Sequence, residues 1–265
     1  MTWLIGLLGS VTIAGLAYWK RSLSGSGFAM AVAVGTVLYA AGSLAWFGTL
    51  IAFFVSSSLL SKWKHRQKAA VESTYEKSGR RDAGQVLANG GLAALLVLAN
   101  AVAPHPLWWA AFIGVMATVT ADTWATEIGG LSRVPPRSIR TLRPVAPGTS
   151  GGITGLGLLA SVLGGLFIGL VAALLLLIQP SQSAEHLVPL ALLGGLVGSL
   201  TDSWLGATVQ RLNRCPVCHR ELEAARHCGT ETHYHRGVRW LNNDAVNLIA
   251  SAAGGLAVLM AVALF

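Results

Sequence analysis

Two aspartates lie in nearly identical settings inside long apolar segments of this chain. Asp122 stands in the sequence Thr-Ala-Asp-Thr-Trp, and Asp202 stands in the sequence Leu-Thr-Asp-Ser-Trp. A charged side chain inside a membrane helix costs on the order of 3 kcal/mol and is retained where it has a partner or a function. Neither segment contains Lys or Arg, so we expect a cation from solution. Mg²⁺ is favoured, because it binds through one or two carboxylates, water and substrate phosphates.

Amide side chains recur at helical spacing in two further apolar segments. Gln85 and Asn89 share one face of one predicted helix, and Asn243 and Asn247 share one face of the last, next to Asp244. One interpretation is that these amides only join helices through hydrogen bonds worth about 1 kcal/mol each. The other is that they line a polar site together with the two aspartates.

A glycine-rich segment follows a basic loop and opens the sixth predicted helix. Residues 147–154 read Pro-Gly-Thr-Ser-Gly-Gly-Ile-Thr. Backbone N–H groups in such a segment can approach a phosphate at a positively polarised helix N-terminus. The alternative is that the glycines only allow close helix packing. The preceding loop carries Arg133, Arg137, Arg140 and Arg143.

A second basic loop lies on the same side of the predicted bundle. Arg80 and Arg81 immediately precede Gln85 and are candidates to neutralise substrate phosphates. Attraction to anionic lipid head groups is expected for four basic residues in the first part of this loop. Those residues are Lys62, Lys64, Arg66 and Lys68.

All three cysteines lie in one loop, as Cys215-Pro-Val-Cys218 and then His227-Cys228. An odd number of cysteines in a cytoplasmic loop argues against a disulfide framework. Cys-x-x-Cys followed by Cys and His is typical of a closed, structural zinc site. The three cysteines are the expected ligands, and free thiols without a metal are the alternative. The candidates for the fourth ligand are His227, His233, His219 and His235.

The composition predicts an all-α polytopic membrane protein. Of the 265 residues, 53% are hydrophobic and only 11% are charged, which excludes an ordinary soluble domain. Eight apolar segments have the length that spans a bilayer. The count is eight if the apolar run 27–60 is divided into two helices at Gly42-Ser43, and seven if this run is a single long helix. We expect a single transmembrane domain, 1–265, with a cytoplasmic Cys/His loop, 209–243, before the last helix. The predicted helices are 2–19, 26–42, 44–61, 84–103, 107–126, 152–178, 187–208 and 244–265.

The basic residues predict the orientation of the bundle. With the N-terminus outside, the inner connections hold all 19 Lys and Arg, in agreement with the positive-inside rule. The net charge of +8 is thereby explained by topology, and nucleic acid is not an expected partner. Both aspartates then lie near the cytoplasmic ends of parallel helices. The absence of a cleavable signal or transit extension favours a prokaryotic plasma membrane.

From about residue 25 to the C-terminus, the chain resembles the integral-membrane phytyl phosphate kinase family. The resemblance implies transfer of the γ-phosphate of CTP to a prenyl monophosphate, such as phytyl or geranylgeranyl phosphate, with formation of the diphosphate. The implied reaction chemistry resembles that of the dolichol kinase and CDP-diacylglycerol synthase group. The matching motifs begin at Gln85, Asp122, Pro147, Asp202 and Asn243 and read QVLANGG, DTWATEIG, PGTSGG, DSWLGATVQ and NDAVN.

We further hypothesise a division of roles among these residues. Asp122 and Asp202 would hold Mg²⁺, joined by Asp244 or Glu127 as catalytic residues, and CTP would be the phosphate donor. The lipid tail of the acceptor would lie between helices. The residues expected to bind nucleotide or substrate are Arg80, Arg81, Gln85, Asn89, Thr123, Gly148, Thr149, Ser150, Gly151, Gly152, Ser203, Gln210, Asn243 and Asn247.

Two other functions fit the same residues. A lipid-phosphate cytidylyltransferase would use the same metal, nucleotide and lipid phosphate but attack the α-phosphate. A lipid or ion transporter would need polar residues in the outer half of the bilayer, and that half is apolar here. Within the kinase hypothesis, we expect Asp122 to rely on the metal more heavily, and Asp202, which Gly206 follows, to leave room for substrate.

Overall fold

The computed structural model describes residues 1–77, 79–182 and 185–264, which form a bundle of eight long helices. The predicted all-α membrane bundle is confirmed. Phe265, the predicted end of the last helix, lies outside the described residues. The helices are α1 (Thr2–Trp19), α2 (Gly25–Val37) with a π-helical turn (Leu38–Gly42), α3 (Leu44–Lys62), a short α4 (His65–Glu72), α5 (Ala83–Val102), α6 (Pro106–Gly129), α7 (Gly155–Ile178), α8 (Leu187–Thr208) and α9 (Asn243–Leu264).

The predicted break between the second and third long helices is confirmed at Ser43. This residue is extended (φ −161°, ψ −177°), and its side chain accepts a hydrogen bond from Ala45 N at the start of α3. Seven of the eight long helices are long and apolar enough to cross a membrane. The eighth, α6, has 24 residues but carries Asp122 and Glu127 within its polar C-terminal half.

Helix α6 forms the centre of the bundle and is buried without interruption from Trp109 to Ala121. It contacts α3, α5, α7, α8 and α9. Thr118 Oγ1 donates to the carbonyl of Gly194 in α8 at 2.9 Å, and a Cβ added at Gly198 would lie 2.1 Å from the Thr118 side chain. Small residues let membrane helices approach this closely. The packing therefore brings the C-terminal ends of α6 and α8 together.

The extramembrane segments form short strands. The segment before α7 is held by an antiparallel pair, β1 (Arg137–Ser138) and β2 (Gly152–Ile153). Residues 209–242, hereafter the Cys/His module, contain a three-stranded antiparallel sheet in the order β4-β3-β7 and a separate hairpin of β5 and β6. The strands are β3 (Leu212–Arg214), β4 (Glu221–Leu222), β5 (Arg226–His227), β6 (Thr230–Glu231) and β7 (His233–Arg236).

The short helix α4 was not predicted from the sequence. It contains Lys68, and the position of this side chain contradicts the expected role in binding lipid head groups. This lysine is only 2% exposed, and its ammonium forms an ion pair with Glu127 of α6. It also donates to the carbonyl of Leu60 at 2.8 Å, in the last turn of α3. A cation at a helix C-terminus is favoured by the free carbonyls there. Lys68 therefore joins α3, α4 and α6 inside the protein.

Candidate active site

A cavity of about 580 Å³ lies where the C-terminal ends of α6 and α8 meet the N-terminal ends of α5 and α9. Residues from all five sequence motifs, which are far apart in the chain, converge on it. Two of the predicted site residues, Arg80 and Asp244, do not line the cavity. The predicted site residues that do are Arg81, Gln85, Asn89, Asp122, Thr123, Glu127, Gly148, Thr149, Ser150, Gly151, Gly152, Ser203, Gln210, Asn243 and Asn247.

Asp122 and Asp202 face this cavity from adjacent helices and lack a protein counter-ion. No Lys, Arg or His among the described residues lies within 4.0 Å of either carboxylate. The Oδ2 atom of Asp202 is buried and has no hydrogen-bond partner in the described structure. A buried carboxylate oxygen without a donor suits a cation such as Mg²⁺, which binds through few protein ligands. The two aspartates therefore fit the predicted metal site.

The other two predicted catalytic acids have protein partners. Glu127 lines the cavity but is paired with Lys68 and accepts a 2.5 Å hydrogen bond from Ser61 Oγ. Asp244 does not line the cavity and pairs with Lys77 Nζ at 2.5 Å, while its buried Oδ1 has no hydrogen-bond partner among the described residues. Burial would lower the pKa of Lys77, but its hydrogen bonds to Asp244 and Asp82 raise the pKa overall, so this ion pair persists. The metal-binding role of both acids remains a prediction.

Arg81 supplies a positive charge at the cavity without a carboxylate partner. Its guanidinium lies 6.0 and 5.7 Å from the ring centroids of Phe53 and Phe54 and donates to Ser58 Oγ at 3.0 Å. No carboxylate of a described residue is within 4.0 Å of it. Arginine binds phosphate through a rigid fork of donors. The neighbouring Arg80 is exposed.

The predicted amide residues divide between structural and cavity-facing positions. The Gln85 side chain accepts a hydrogen bond from Asp82 N, and Asp82 accepts one from Gln85 N. This reciprocal arrangement is a capping box that begins α5. The Nε2 atom of Gln210 is buried without a partner among the described residues. Asn89 and Asn247 line the cavity directly.

The glycine-rich segment lies against α8 and does not form the first turn of α7. Helix α7 begins at Gly155, three residues after the predicted start, and Thr154 caps it by accepting from Gly157 N at 3.0 Å. At Gly151 φ is +75°, and a Cβ there would lie 2.5 Å from Ser203 O. Only glycine fits this position, because the backbone is left-handed and packed on α8.

Internal hydrogen bonds already use several groups of this segment. Thr149 N donates to Ala146 O, and Gly152 N donates to Thr149 O. The segment also approaches α8 closely at Gly206, where an added Cβ would lie 3.0 Å from Gly151 N. The space beside Gly206 is filled by the glycine-rich segment. The glycine-rich segment is therefore a well-packed turn at the cavity wall.

Glu223 and Tyr75 are among the cavity residues that were not predicted from the sequence. Glu223, in the Cys/His module, accepts a 2.7 Å hydrogen bond from Ser150 Oγ, and burial raises its pKa despite this bond. Tyr75 also lines the cavity, and burial, together with nearby carboxylates including Glu223, raises the pKa of its phenol well above the usual value. The phenol therefore stays protonated and can donate. Neither residue belongs to a periodic or recognisable motif, so local sequence carries no signal for them.

The Cys/His module contains a compact metal-ligand cluster. The side-chain ligand atoms of Cys215, Cys218, His227 and Cys228 lie within 4.8 Å of one another. The Nδ1 atom of His227 lies 3.4 Å from Cys218 Sγ and 3.2 Å from Cys228 Sγ. Hydrogen bonding by the backbone N–H of Cys218 is the main cause that lowers the pKa of Cys215 to about 6. These residues fit a tetrahedral zinc site with His227 as the fourth ligand.

The module is bonded directly to the cavity wall. Arg220 donates to Pro147 O at 2.7 Å, next to the glycine-rich segment. The backbone N–H groups of Glu223 and Ala224 both donate to Thr74 O, at 2.9 and 3.1 Å. Thr74 Oγ1 in turn lies 3.1 Å from Gly148 O. The fold of the module therefore determines where Glu223 and the glycine-rich segment lie.

Comparisons with known proteins agree with this architecture. Residues 8–255 match the family model described as Integral membrane protein DUF92. Protein PGR of Arabidopsis thaliana is 33% identical over 91% of this chain and 89% of its own length. An uncharacterized membrane protein of Methanocaldococcus jannaschii is 32% identical over 78% and 72%. The chloroplastic Protein VTE6 of Arabidopsis thaliana is 28% identical over 94% and 68%. No solved structure matches the chain.

Proposed function

This chain belongs to the integral membrane protein family DUF92, and we propose that it is a membrane kinase acting on a lipid phosphate. It would transfer the γ-phosphate of CTP, or of another nucleoside triphosphate, to a prenyl monophosphate such as phytyl or geranylgeranyl phosphate. One observation carries this proposal. A single cavity combines two carboxylates without a protein counter-ion, Asp122 and Asp202, with a guanidinium without a carboxylate partner, Arg81.

The charge pattern suits phosphoryl transfer between two anions. An oxygen of the acceptor phosphate attacks the γ-phosphorus, the bond from that phosphorus to the bridging oxygen breaks, and the nucleoside diphosphate leaves. Such transfer depends on alignment and charge neutralisation. The acceptor is already ionised at pH 7, so no strong base is required. Mg²⁺ held by Asp122 and Asp202 would supply neutralisation of the phosphate oxygens.

The protein side chains of the cavity then have distinct tasks. Arg81 binds the acceptor phosphate, because the phenyl rings of α3 beside its guanidinium provide an apolar surface for the adjoining part of a lipid. The Tyr75 phenol donates a hydrogen bond to a phosphate oxygen. The glycine-rich segment and Ser150 contact the nucleotide, and Glu223 holds Ser150 in place.

The location follows from the same features. We place the protein in a prokaryotic plasma membrane with the cavity on the cytoplasmic side. The position of all Lys and Arg in the inner connections supports this orientation, and the archaeal relative supports a prokaryotic setting. A soluble nucleotide and a membrane lipid can meet at such an interface.

The decisive experiment identifies the released product. Purified protein is incubated with Mg²⁺, CTP and geranylgeranyl monophosphate, with Asp122→Asn as the matched control. Release of CDP together with the prenyl diphosphate is expected. Release of pyrophosphate would assign a cytidylyltransferase, and release of neither product would overturn the kinase proposal.

A further inference from the structure

A second, much smaller cavity lies among the amino-terminal helices. This apolar slot, of about 60 Å³, is formed by α1, α2, α3 and α5. Its walls are aliphatic and aromatic side chains, including Ile13, Ala31, Val34, Leu50 and Phe54. The slot is distinct from the polar cavity but adjoins it.

The two cavities share three residues. Arg81, Gln85 and Asn89 line both the polar cavity and the apolar slot. A ligand with a phosphate at Arg81 would therefore have the polar cavity on one side and the slot on the other. This is the arrangement required by a molecule with an anionic head and a hydrocarbon tail.

We propose that the slot binds the hydrocarbon carbons next to the phosphate of the lipid acceptor, with Arg81 at the boundary between head and tail. This inference rests on the proposed kinase function and specifies where its acceptor lies. The guanidinium packs on Phe53 and Phe54 and is held by Ser58, so its apolar surroundings belong to the slot and its charge remains available to a phosphate.

The size of the slot limits which part of the tail it holds. A cavity of about 150 Å³ accommodates benzene, so a slot of about 60 Å³ takes only the first few carbons. The remaining tail continues between the helices into the bilayer. Gly90 keeps the slot open, because a Cβ there would lie 3.1 Å from Val34 Cγ1. Substrate selection would therefore depend on the carbons nearest the phosphate.

A competing route for the tail runs between α7 and α8. Leu158 and Leu200 line the polar cavity on that side and are partly exposed. The hydroxyls of Ser161 and Ser199, which line the same cavity, form a buried 3.1 Å hydrogen bond that joins the two helices. A hydrocarbon chain would have to separate this pair, so the slot near α2 is favoured.

Photocrosslinking distinguishes the two routes. The probe is geranylgeranyl monophosphate with a diazirine on the first isoprene unit, irradiated with the full-length protein and mapped by peptide mass spectrometry. Crosslinks are expected in α2 around Ala31, in α3 around Leu50 and Phe54, or in the part of α5 that lines the slot. Unlabelled geranylgeranyl monophosphate should compete with the probe. Competable crosslinks to α7 or α8 would overturn the slot assignment and leave the kinase proposal standing. No competable crosslink anywhere would contradict both.

A substitution that fills the slot provides a second test. Ala31→Phe places an aromatic ring inside the slot, and Ala101→Phe places the same ring on the exposed opposite end of α5 as a control. Each expelled methylene weakens binding about fourfold, so Ala31→Phe should raise the KM for the lipid acceptor at least tenfold. The KM for CTP should not change. An unchanged acceptor KM in folded Ala31→Phe would overturn the inference.

Discussion

The membrane bundle holds its two cavity aspartates differently from the way in which the Cys/His module holds Glu221. In the bundle, Asp122 and Asp202 have no counter-ion among the described residues, although the helices around them are tightly packed. In the module, Glu221 is paired with Arg236 at 2.9 Å, and Cys215, Leu222 and Ala224 form a small apolar cluster. Helix packing can therefore hold carboxylates that have no counter-ion among the described residues, and we expect a module with so small an apolar cluster to depend on a bound metal for its fold.

This difference predicts that a metal matters for activity in one region and for folding in the other. Helices α6 and α8 are positioned by contacts such as that of Thr118 with Gly194, which require no ion. The strands of the module are two to four residues long and bury little apolar surface. Short domains without a sufficient core commonly use a structural metal. Four experiments test this comparison.

The largest effect is expected from Asp122→Asn and Asp202→Asn. Each should reduce the rate of phosphoryl transfer about 100-fold or more, because metal-assisted charge neutralisation contributes several kcal/mol. The melting temperature should stay the same or rise, since an unpaired buried charge is removed. Steady-state kinetics and thermal unfolding of the detergent-solubilised protein measure both quantities. Near-normal activity in both variants would rule out the magnesium assignment.

Arg81→Ala tests the role of the Arg81 guanidinium, a positive charge that lines the cavity together with the two aspartates. A hydrogen bond to a charged group contributes about 1.5–3 kcal/mol, so the KM for the acceptor should rise about tenfold to 100-fold with a smaller change for CTP. Arg80→Ala is the matched control, because Arg80 is adjacent in sequence but exposed. Equal effects of the two substitutions would show that general positive charge, rather than the position of Arg81, binds the lipid phosphate.

Cys228→Ser tests the metal dependence of the module. The variant should lose bound zinc and show faster proteolysis within residues 209–242, while the helices stay folded. Activity should fall about tenfold, because Glu223 and the glycine-rich segment lose their support. His233→Ala is the control, since His233 is exposed and outside the ligand cluster. Metal analysis by mass spectrometry and limited proteolysis measure the outcome. A zinc-free variant with an intact module would contradict the comparison.

The smallest effect concerns the pH dependence of stability. Burial raises the pKa of Glu223 above its ordinary value of 4.5. Between pH 4.5 and the raised pKa, the Glu223 carboxyl is protonated more often in the folded state than in the unfolded state. Its contribution to the free energy of unfolding therefore falls as the pH rises through this range. Glu223→Gln should remove this contribution. Melting temperatures from pH 4.5 upward, without added Mg²⁺, are compared between the wild type and the variant.

The matched control for this titration is Glu231→Gln, which changes an exposed carboxylate of the same module. Its melting temperature should follow that of the wild type across the pH range. A Glu223→Gln profile parallel to the wild type would show that the Glu223 carboxyl is not perturbed by its position between the module and the bundle.

The amino-acid sequence alone determined the helices and most of the candidate site. Length and hydropathy define spanning helices because the bilayer has a fixed thickness. Polar residues inside such helices, including Asp122 and Asp202, are conspicuous because the membrane makes them costly. The Cys-x-x-Cys spacing likewise predicted the ligand cluster that the structure contains. These features are local in sequence or depend on the solvent.

Only the tertiary structure decided which charged groups have partners. Lys68 pairs with Glu127, Asp244 pairs with Lys77, and Arg81 remains without a carboxylate partner among the described residues. The contributions of Glu223 and Tyr75 to the cavity, and the apolar slot next to it, also follow from contacts between distant segments. No local periodicity encodes such contacts, because they depend on how helices and loops pack together. The sequence supplied the functional groups, and the packing determined which of them remain available to a substrate.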